Sequence, residues 1–137
     1  MAPDPAAPDL APFAYAPIRV VPRVDRGECL NVGIVLYSRP RRYLGVRTRV
    51  EPQRLLALWP GLDLEAIQRH LDILGLVANG DPGGGPIAHL QPHERFGWLT
   101  APASTIVQPG PVHSGLTRNP VEALAGLFRE LVSTDYK

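Results

Sequence analysis

The stretch from Cys29 to Tyr37 constrains the fold more than any other part of the sequence. It reads CLNVGIVLY, an apolar run interrupted only by Asn31 and Gly33. A half-buried strand would alternate apolar and polar side chains, whereas a nearly continuous apolar run indicates a strand that is covered on both faces. We therefore predict a central β-strand here.

Two further strands are predicted beside it. Phe13–Val21 is rich in aromatic and β-branched residues, and Pro17 within it favours an edge strand or a strand that begins later. Tyr43–Val50 alternates cleanly, so that Arg47 and Arg49 point away from its apolar face. The segments VPRVDRGE and SRPRR between them are typical of turns. Together they predict a three-stranded antiparallel meander.

The middle of the chain predicts helices. Pro52 suits the first turn of a short helix that ends at Pro60–Gly61. Asp63 can cap a longer helix that stops at Asn79–Gly80, and its apolar residues recur at helical spacing: Leu64, Ile67, Leu71 and Leu74. The glycine-rich segment 81–86 lacks the Lys-Ser/Thr of a phosphate-binding loop, so we interpret it as a flexible connector.

The last third of the chain predicts one strand and two more helical segments. Residues 91–99 favour one or two helical turns, residues 104–108 a short strand, and PGPVHSGLT a rigid polar loop. Asn119 is the expected N-cap of the final helix, with Glu122 completing a capping box. The expected sheet-facing side of that helix comprises Val121, Leu124, Leu127, Phe128 and Leu131.

These elements predict the α+β class, with an antiparallel sheet of the meander plus at least one further strand, packed by two to three helices. The chain has 137 residues, 45% of them apolar and 20% charged, which suits one domain over residues 13–137. Residues 1–12 are rich in proline and alanine and are predicted to be a disordered tail. No stretch resembles a secretory signal or a membrane span, so we expect a cytoplasmic protein.

The number of cysteines, the spacing of the histidines and the distribution of charge limit the functions that the sequence allows. The single cysteine, Cys29, cannot form an intramolecular disulfide, and it is interpreted as a small core residue. The four histidines lack zinc-site spacing, so we predict no metal and no cofactor. The basic charge is concentrated between Arg19 and Arg54, where nine arginines face three acidic residues, a balance of 9 − 3 = +6.

Two segments resemble a bacterial family catalogued as a domain of unknown function. They are VPRVDRGECLNVGIVLY at 21–37 and ERFGWLTAPASTIVQPGPVHSGLT at 94–117. Members of this family often sit beside genes for HipA-type kinase-like proteins, so the resemblance implies a protein partner. Ala103 departs from the pattern, since a basic residue is expected there. The matching residues are Arg26, Gly27, Glu28, Asn31 and Gly33 in the first segment, and Arg95, Trp98, Ser104, Thr105, Gln108 and His113 in the second.

The first segment allows two interpretations. Arg26 and Glu28 either hold a hairpin turn, with Asn31 satisfying backbone groups at a sheet irregularity beside Gly33, or they belong to a ligand site. In the second interpretation Glu28 is a general base or a selector that repels anions, and Arg26 and Asn31 contact the ligand. The sequence leaves both open.

The second segment is equally open. Arg95, Thr105 and Gln108 are candidate ligand-binding residues, and Ser104 and His113 are, with Glu28, candidate catalytic residues. Alternatively, the hydroxyl groups of this segment cap a turn and the histidine bonds to a carbonyl.

Nucleic acid is the remaining candidate partner. Clustered arginines neutralise phosphates, so the alternative function is a nucleic-acid or nucleotide-phosphate binding protein, with a nuclease as one form of it. Arg23, Arg41 and Arg42 are the candidate contacts, acting with Arg95 and His113. The more conservative interpretation is a solvated outer face of the sheet. The leading hypothesis is a protein-interaction module that uses the surface around residues 94–117, and a small-molecule hydrolase or transferase is a third.

Overall fold

The computed structural model describes residues 9–134, which form a five-stranded antiparallel sheet with helices on both faces. This confirms the predicted α+β class. The strands are β1 (Ala11–Val20), β2 (Leu30–Ser38), β3 (Tyr43–Thr48), β4 (Val107–Pro109) and β5 (His113–Thr117). The helices are α1 (Pro52–Leu58), α2 (Leu64–Asn79), α3 (Pro92–Leu99) and α4 (Pro120–Leu131).

The strand order is β3-β2-β1, and both β4 and β5 pair with the free side of β1. β5 pairs with residues 11–15 of β1, and β4 pairs with residues 18–20. The two short strands therefore follow one another along the same edge. β2 lies between β3 and β1, as predicted from its apolar run.

β1 is an interior strand, so the prediction of an edge strand or a later start is wrong. Pro17 is tolerated there because it falls opposite the break between β4 and β5, where its carbonyl accepts a bond from the Gly110 N–H at 2.7 Å. Its missing N–H costs no ladder bond at that break. β1 starts at Ala11, so residues 11 and 12 of the predicted tail belong to the sheet. Residues 1–8 of that tail lie outside the described residues.

The two faces of the sheet bury separate cores. The first face packs against α1, α2 and α3 through residues that include Ile18, Val35, Leu55, Leu71 and Leu99. The second face packs against α4 through Ile34, Leu36, Leu124, Phe128 and Val132. Successive side chains of β2 therefore enter different cores: Val35 enters the first, and Ile34 and Leu36 enter the second.

A register shift interrupts the pairing of β1 with β2. Ile18 lies opposite Gly33, but Arg19 lies opposite Asn31, so Val32 has no paired residue. This is a β-bulge, in which one strand carries an extra residue. It places Val32 in the first core and orients Asn31 towards α4.

α2 begins and ends at the residues that the sequence marks for caps. The Asp63 side chain accepts from the Ala66 N–H at 3.0 Å, and Gly80 ends α2 with a positive φ of 67°. Segment 81–86, interpreted as a flexible connector, contains a tight 3-10 turn at Pro82–Gly84, and a second 3-10 turn, Pro86–His89, begins at its last residue. None of the helices within residues 9–134 is both long enough and apolar enough to cross a bilayer.

Three local predictions are wrong. PGPVHSGLT is not only a loop, because its residues 113–117 form β5 on the unpaired edge of β1. Cys29 is exposed just before β2 rather than packed in the core. Val121 and Leu131 of α4 are exposed, at 57% and 41%, so only part of its predicted apolar face meets the sheet.

The face that carries Arg47 and Arg49 is not a free, solvated sheet surface, because α4 lies against it. The Arg47 guanidinium carbon is 4.8 Å from the centre of the Phe128 ring, a cation–π distance. Arg49 donates to the Ser133 hydroxyl at 3.4 Å. Arg47 and Arg49 therefore contact α4 and the residue that follows it while both side chains stay exposed to solvent.

Candidate functional site: an apolar groove and a polar row

The turn between β1 and β2 holds its charges in pairs. Arg26 binds the Glu28 carboxylate at 2.7 Å, and Arg23 binds Asp25 at 2.5 Å. The hydrogen bond from Arg26, and then its charge, hold the pKa of Glu28 below its ordinary value. A carboxylate held in its charged form is a weak general base, so the geometry favours a turn-holding role for Glu28.

Asn31 is engaged by the backbone of α4. Its amide donates to the carbonyl of Leu131 at 3.1 Å, at the position where the last carbonyls of a helix lack partners. Asn31 thus satisfies a backbone group at the sheet irregularity, in agreement with one of its two interpretations.

Arg95 is committed to three backbone carbonyls. Its Nη1 donates to Val77 at 3.0 Å and to Ala78 at 2.7 Å, and its Nε donates to Leu90 at 3.0 Å. Two of these carbonyls belong to the last turn of α2. The predicted ligand contact is therefore occupied by the end of a helix.

Ser104 and Thr105 lie beside a groove between α2 and the segment of residues 98–109, hereafter the α2 groove. Its deeper part is a cavity of about 280 Å³, and a shallower part of about 350 Å³ adjoins it. His70 and Thr105 border both parts, and Ser104 borders the shallower one. The Thr105 hydroxyl donates to the Val107 carbonyl at 2.7 Å, so it fixes the segment rather than pointing at a ligand.

The α2 groove is apolar. Its deeper part is walled by Ile18, Leu74, Leu99 and Val107, and Trp98 stands at its rim with 42% of its surface exposed. The residues that line either part include no arginine or lysine. Sequence reasoning did not select His70 for this groove. Its spacing, one helical turn after Ile67 and one before Leu74, was the available signal.

A second feature lies where the two family-like segments meet. Arg19 in β1 pairs with Asn31 in β2 and with Gln108 in β4, which gives a row of three polar residues across three strands, hereafter the Arg19 row. Arg19 Nε and Gln108 Nε2 are buried and have no hydrogen-bond partner within the described part of the chain. Arg19 was not selected from the sequence, although it is the one charged residue of its strand.

His113 opens β5 opposite Tyr15, and the two rings lie 5.4 Å apart. At the other end of β1, the Ile106 carbonyl accepts from the Val21 N–H at 2.7 Å. Tyr15 and Val21 are six residues apart in the sequence, about 20 Å in an extended strand. Ser104 is two residues from Ile106, a reach of about 7 Å, so it lies too far from His113 to act with it as a nucleophile and its base.

The three nucleic-acid candidates lie at opposite ends of β2. Arg23 lies before β2, and Arg41 and Arg42 lie after it, so the nine residues of that strand, about 30 Å, separate them. Arg41 donates to the Asp9 carbonyl. Arg42 occupies the β2–β3 turn with a positive φ of 51°.

These features define a small α+β domain that carries an apolar groove and a polar row, which share Gln108, and in which Ser104 and His113 lie apart. Within residues 9–134, no three His, Cys, Asp or Glu side chains are grouped to hold a metal ion. Residues 15–132 match the family described as a protein of unknown function, DUF3037, and the chain belongs to that family. No curated protein and no solved structure matches the chain.

Proposed function

We propose that this protein is an interaction module that holds an apolar side chain of a partner protein in the α2 groove. The observation that carries the proposal is Trp98, which is 42% exposed at the rim of a cavity of about 280 Å³. Tryptophan is among the residues most enriched at the energetic centres of protein interfaces.

The deeper part of the groove has room for one bulky side chain. Its volume of about 280 Å³ is just below the roughly 300–1,000 Å³ typical of pockets for drug-sized ligands, and the adjoining shallower part of about 350 Å³ leaves room for the rest of a bound segment. One bulky anchor residue from a protein segment would fill the deeper part. Because no arginine, lysine, aspartate or glutamate is among the residues that line the cavity, the anchor is expected to be uncharged, an aromatic residue or leucine.

The surroundings of the groove extend the apolar surface. Ile106 borders the shallower part of the groove and is 46% exposed, so it adds to the apolar surface that Trp98 presents. Contiguous exposed apolar surface with a polar rim is typical of interaction sites. His70 and Thr105 supply that rim.

Nucleic-acid binding receives less support. Arg23 and Arg26 are held in ion pairs, so their charge is already partly neutralised, and the donors of Arg95 are occupied by backbone carbonyls. The kinase-like partner suggested by the family resemblance stays a prediction.

A random-peptide display selection against the intact protein tests the proposal. We expect enriched peptides with one aromatic residue or leucine, and fluorescence anisotropy should give at least tenfold weaker binding to Trp98→Ala. The matched control is Val121→Ala, which removes another exposed apolar side chain from α4. Enriched peptides that bind Trp98→Ala as tightly as the wild type, or that lose affinity equally in both variants, would contradict the proposal, as would the failure of any peptide to enrich.

A further inference from the structure

We propose that Arg19 and Gln108 form a binding site for a small oxyanion, the phosphate or carboxylate group of a ligand. The site lies on the second face of the sheet, beside α4, whereas the α2 groove opens on the first face. The proposal therefore goes beyond the interaction module and does not depend on it, although Gln108 also borders the groove.

Strand alternation places the two side chains on the same face. Ala16, Ile18 and Val20 enter the first core, while Phe13 and Tyr15 pack against the second. Arg19 follows the second set, because successive side chains of a strand point to opposite faces. Gln108 is directly opposite Arg19 in the antiparallel pair, and residues paired in this way share a face.

The chemistry of the unpaired atoms specifies the ligand. Arg19 Nε and Gln108 Nε2 are both N–H donors, both are buried, and neither has a partner in the part of the chain that the structure describes. Buried donors are almost always hydrogen-bonded, so a neighbouring pair without acceptors is unusual. An oxyanion carries several acceptor oxygens, and its charge complements the guanidinium.

The surrounding backbone holds the guanidinium in place. A Cβ atom at Gly110 would lie 2.8 Å from Arg19 Cζ and 3.0 Å from its Nε, so the guanidinium rests directly on this glycine. Gly110 is itself fixed by its 2.7 Å bond to the Pro17 carbonyl. On the other side of Arg19, Asn31 is held by its bond to Leu131. A fixed donor loses less freedom when it binds a ligand.

The location also explains why both family-like segments contribute. Asn31 comes from the first and Gln108 from the second, and Arg19 lies between them. His113 lies further along the same edge opposite Tyr15, which shares the face of Arg19. A ligand larger than the oxyanion itself would extend towards His113.

Side-chain NMR of the intact, isotope-labelled protein tests the site. Inorganic phosphate, methyl phosphate and acetate are titrated separately at constant ionic strength with chloride, while the Arg19 Nε–H and Gln108 amide signals are followed. We expect saturable shifts of both signals. Tighter binding of the phosphates than of acetate would assign a phosphate group, and the reverse order would assign a carboxylate.

Variants separate the site from general charge effects. Arg19→Gln should weaken the binding of the preferred anion at least tenfold, and Arg69→Gln, at an exposed position of α2, should leave it unchanged. Gln108→Glu provides a second variant should Arg19→Gln fail to fold, because it adds a negative charge that should abolish anion binding.

Two results would overturn the proposal. The first is the absence of a saturable shift with any of the three anions, and the second is equal binding by wild type and Arg19→Gln. If the first result came with a Gln108→Glu variant more stable than the wild type, a rotated Gln108 amide would be the internal acceptor for Arg19.

Discussion

Arg95 ends a helix to which it does not belong. It lies in α3, yet its guanidinium donates to the carbonyls of Val77 and Ala78 in the last turn of α2. Carbonyls in the last turn of a helix lack the usual N–H partner four residues on. The Val77 carbonyl accepts in addition from the Gly80 N–H at 3.1 Å, and a cation at this end interacts favourably with the negative end of the helix dipole. A third bond, to Leu90, ties the intervening turns to the same side chain.

Arg95→Gln is therefore expected to lower the free energy of unfolding by about 2 kcal/mol, the range for bonds that involve a charged group. Urea denaturation measures the loss. Arg69→Gln removes an exposed arginine from the surface of α2 and should cost less than about 0.5 kcal/mol. Equal midpoints for the two variants would contradict the capping role and return Arg95 to the list of ligand-binding candidates.

Single residues were predictable where their partners are close in sequence. Arg26 and Glu28 are two positions apart, and the turn-holding alternative describes their ion pair. Arg19 and Gln108 belong to distant parts of the chain that meet only when β4 pairs with β1. Neither the unpaired donors of the Arg19 row nor the carbonyls that occupy Arg95 could be inferred before that pairing is known.

At the scale of elements, α4 illustrates how a cap is assembled. The Asn119 side chain accepts from the N–H groups of Val121 and Glu122 at 3.0 and 3.4 Å, as its N-cap position predicts. The predicted return contact from Glu122 is wrong, because the Asn119 N–H donates instead to the Thr117 hydroxyl at 3.0 Å. Thr117 ends β5, so the strand itself completes the cap.

Asn119→Ala should consequently lower the free energy of unfolding by about 1 kcal/mol, because two N–H groups lose their acceptor. Glu122→Ala should cost only a few tenths of a kcal/mol, through its charge near the start of the helix. Thermal unfolding followed by circular dichroism compares the two. If Glu122→Ala lowered the free energy of unfolding more than Asn119→Ala, Glu122 would have to be part of a capping box after all.

The elements that sequence patterns predicted well are those with strong local signals. α2 begins after Asp63 and ends before Gly80 as its capping residues indicate, and β2 follows its apolar run. β5 was missed because proline and glycine surround it and the segment has no apolar alternation of its own. Its strand conformation follows from the free N–H and C=O groups along β1, which only the tertiary fold supplies.

At the scale of the whole molecule, the two cores share one sheet. Val35 of β2 enters the first core, while Ile34 and Leu36 on either side of it enter the second. If the helices on one face of the sheet detached, the side chains on that face of β2 would expose apolar surface to water even though the other face stayed covered. The two layers of helices are therefore expected to unfold as one cooperative unit.

Phe128→Ala tests this coupling from the α4 side. Removing a buried phenylalanine should cost about 3–5 kcal/mol. Both tryptophans of the chain, Trp59 and Trp98, adjoin the helices of the other layer, at the end of α1 and within α3. If the sheet couples the layers, the tryptophan fluorescence midpoint in urea should fall by the same amount as the circular dichroism midpoint. The exposed Val121→Ala should move neither. A fluorescence midpoint that stays at the wild-type value while circular dichroism reveals an earlier transition would show instead that α4 detaches on its own, and that the first core is stable without it.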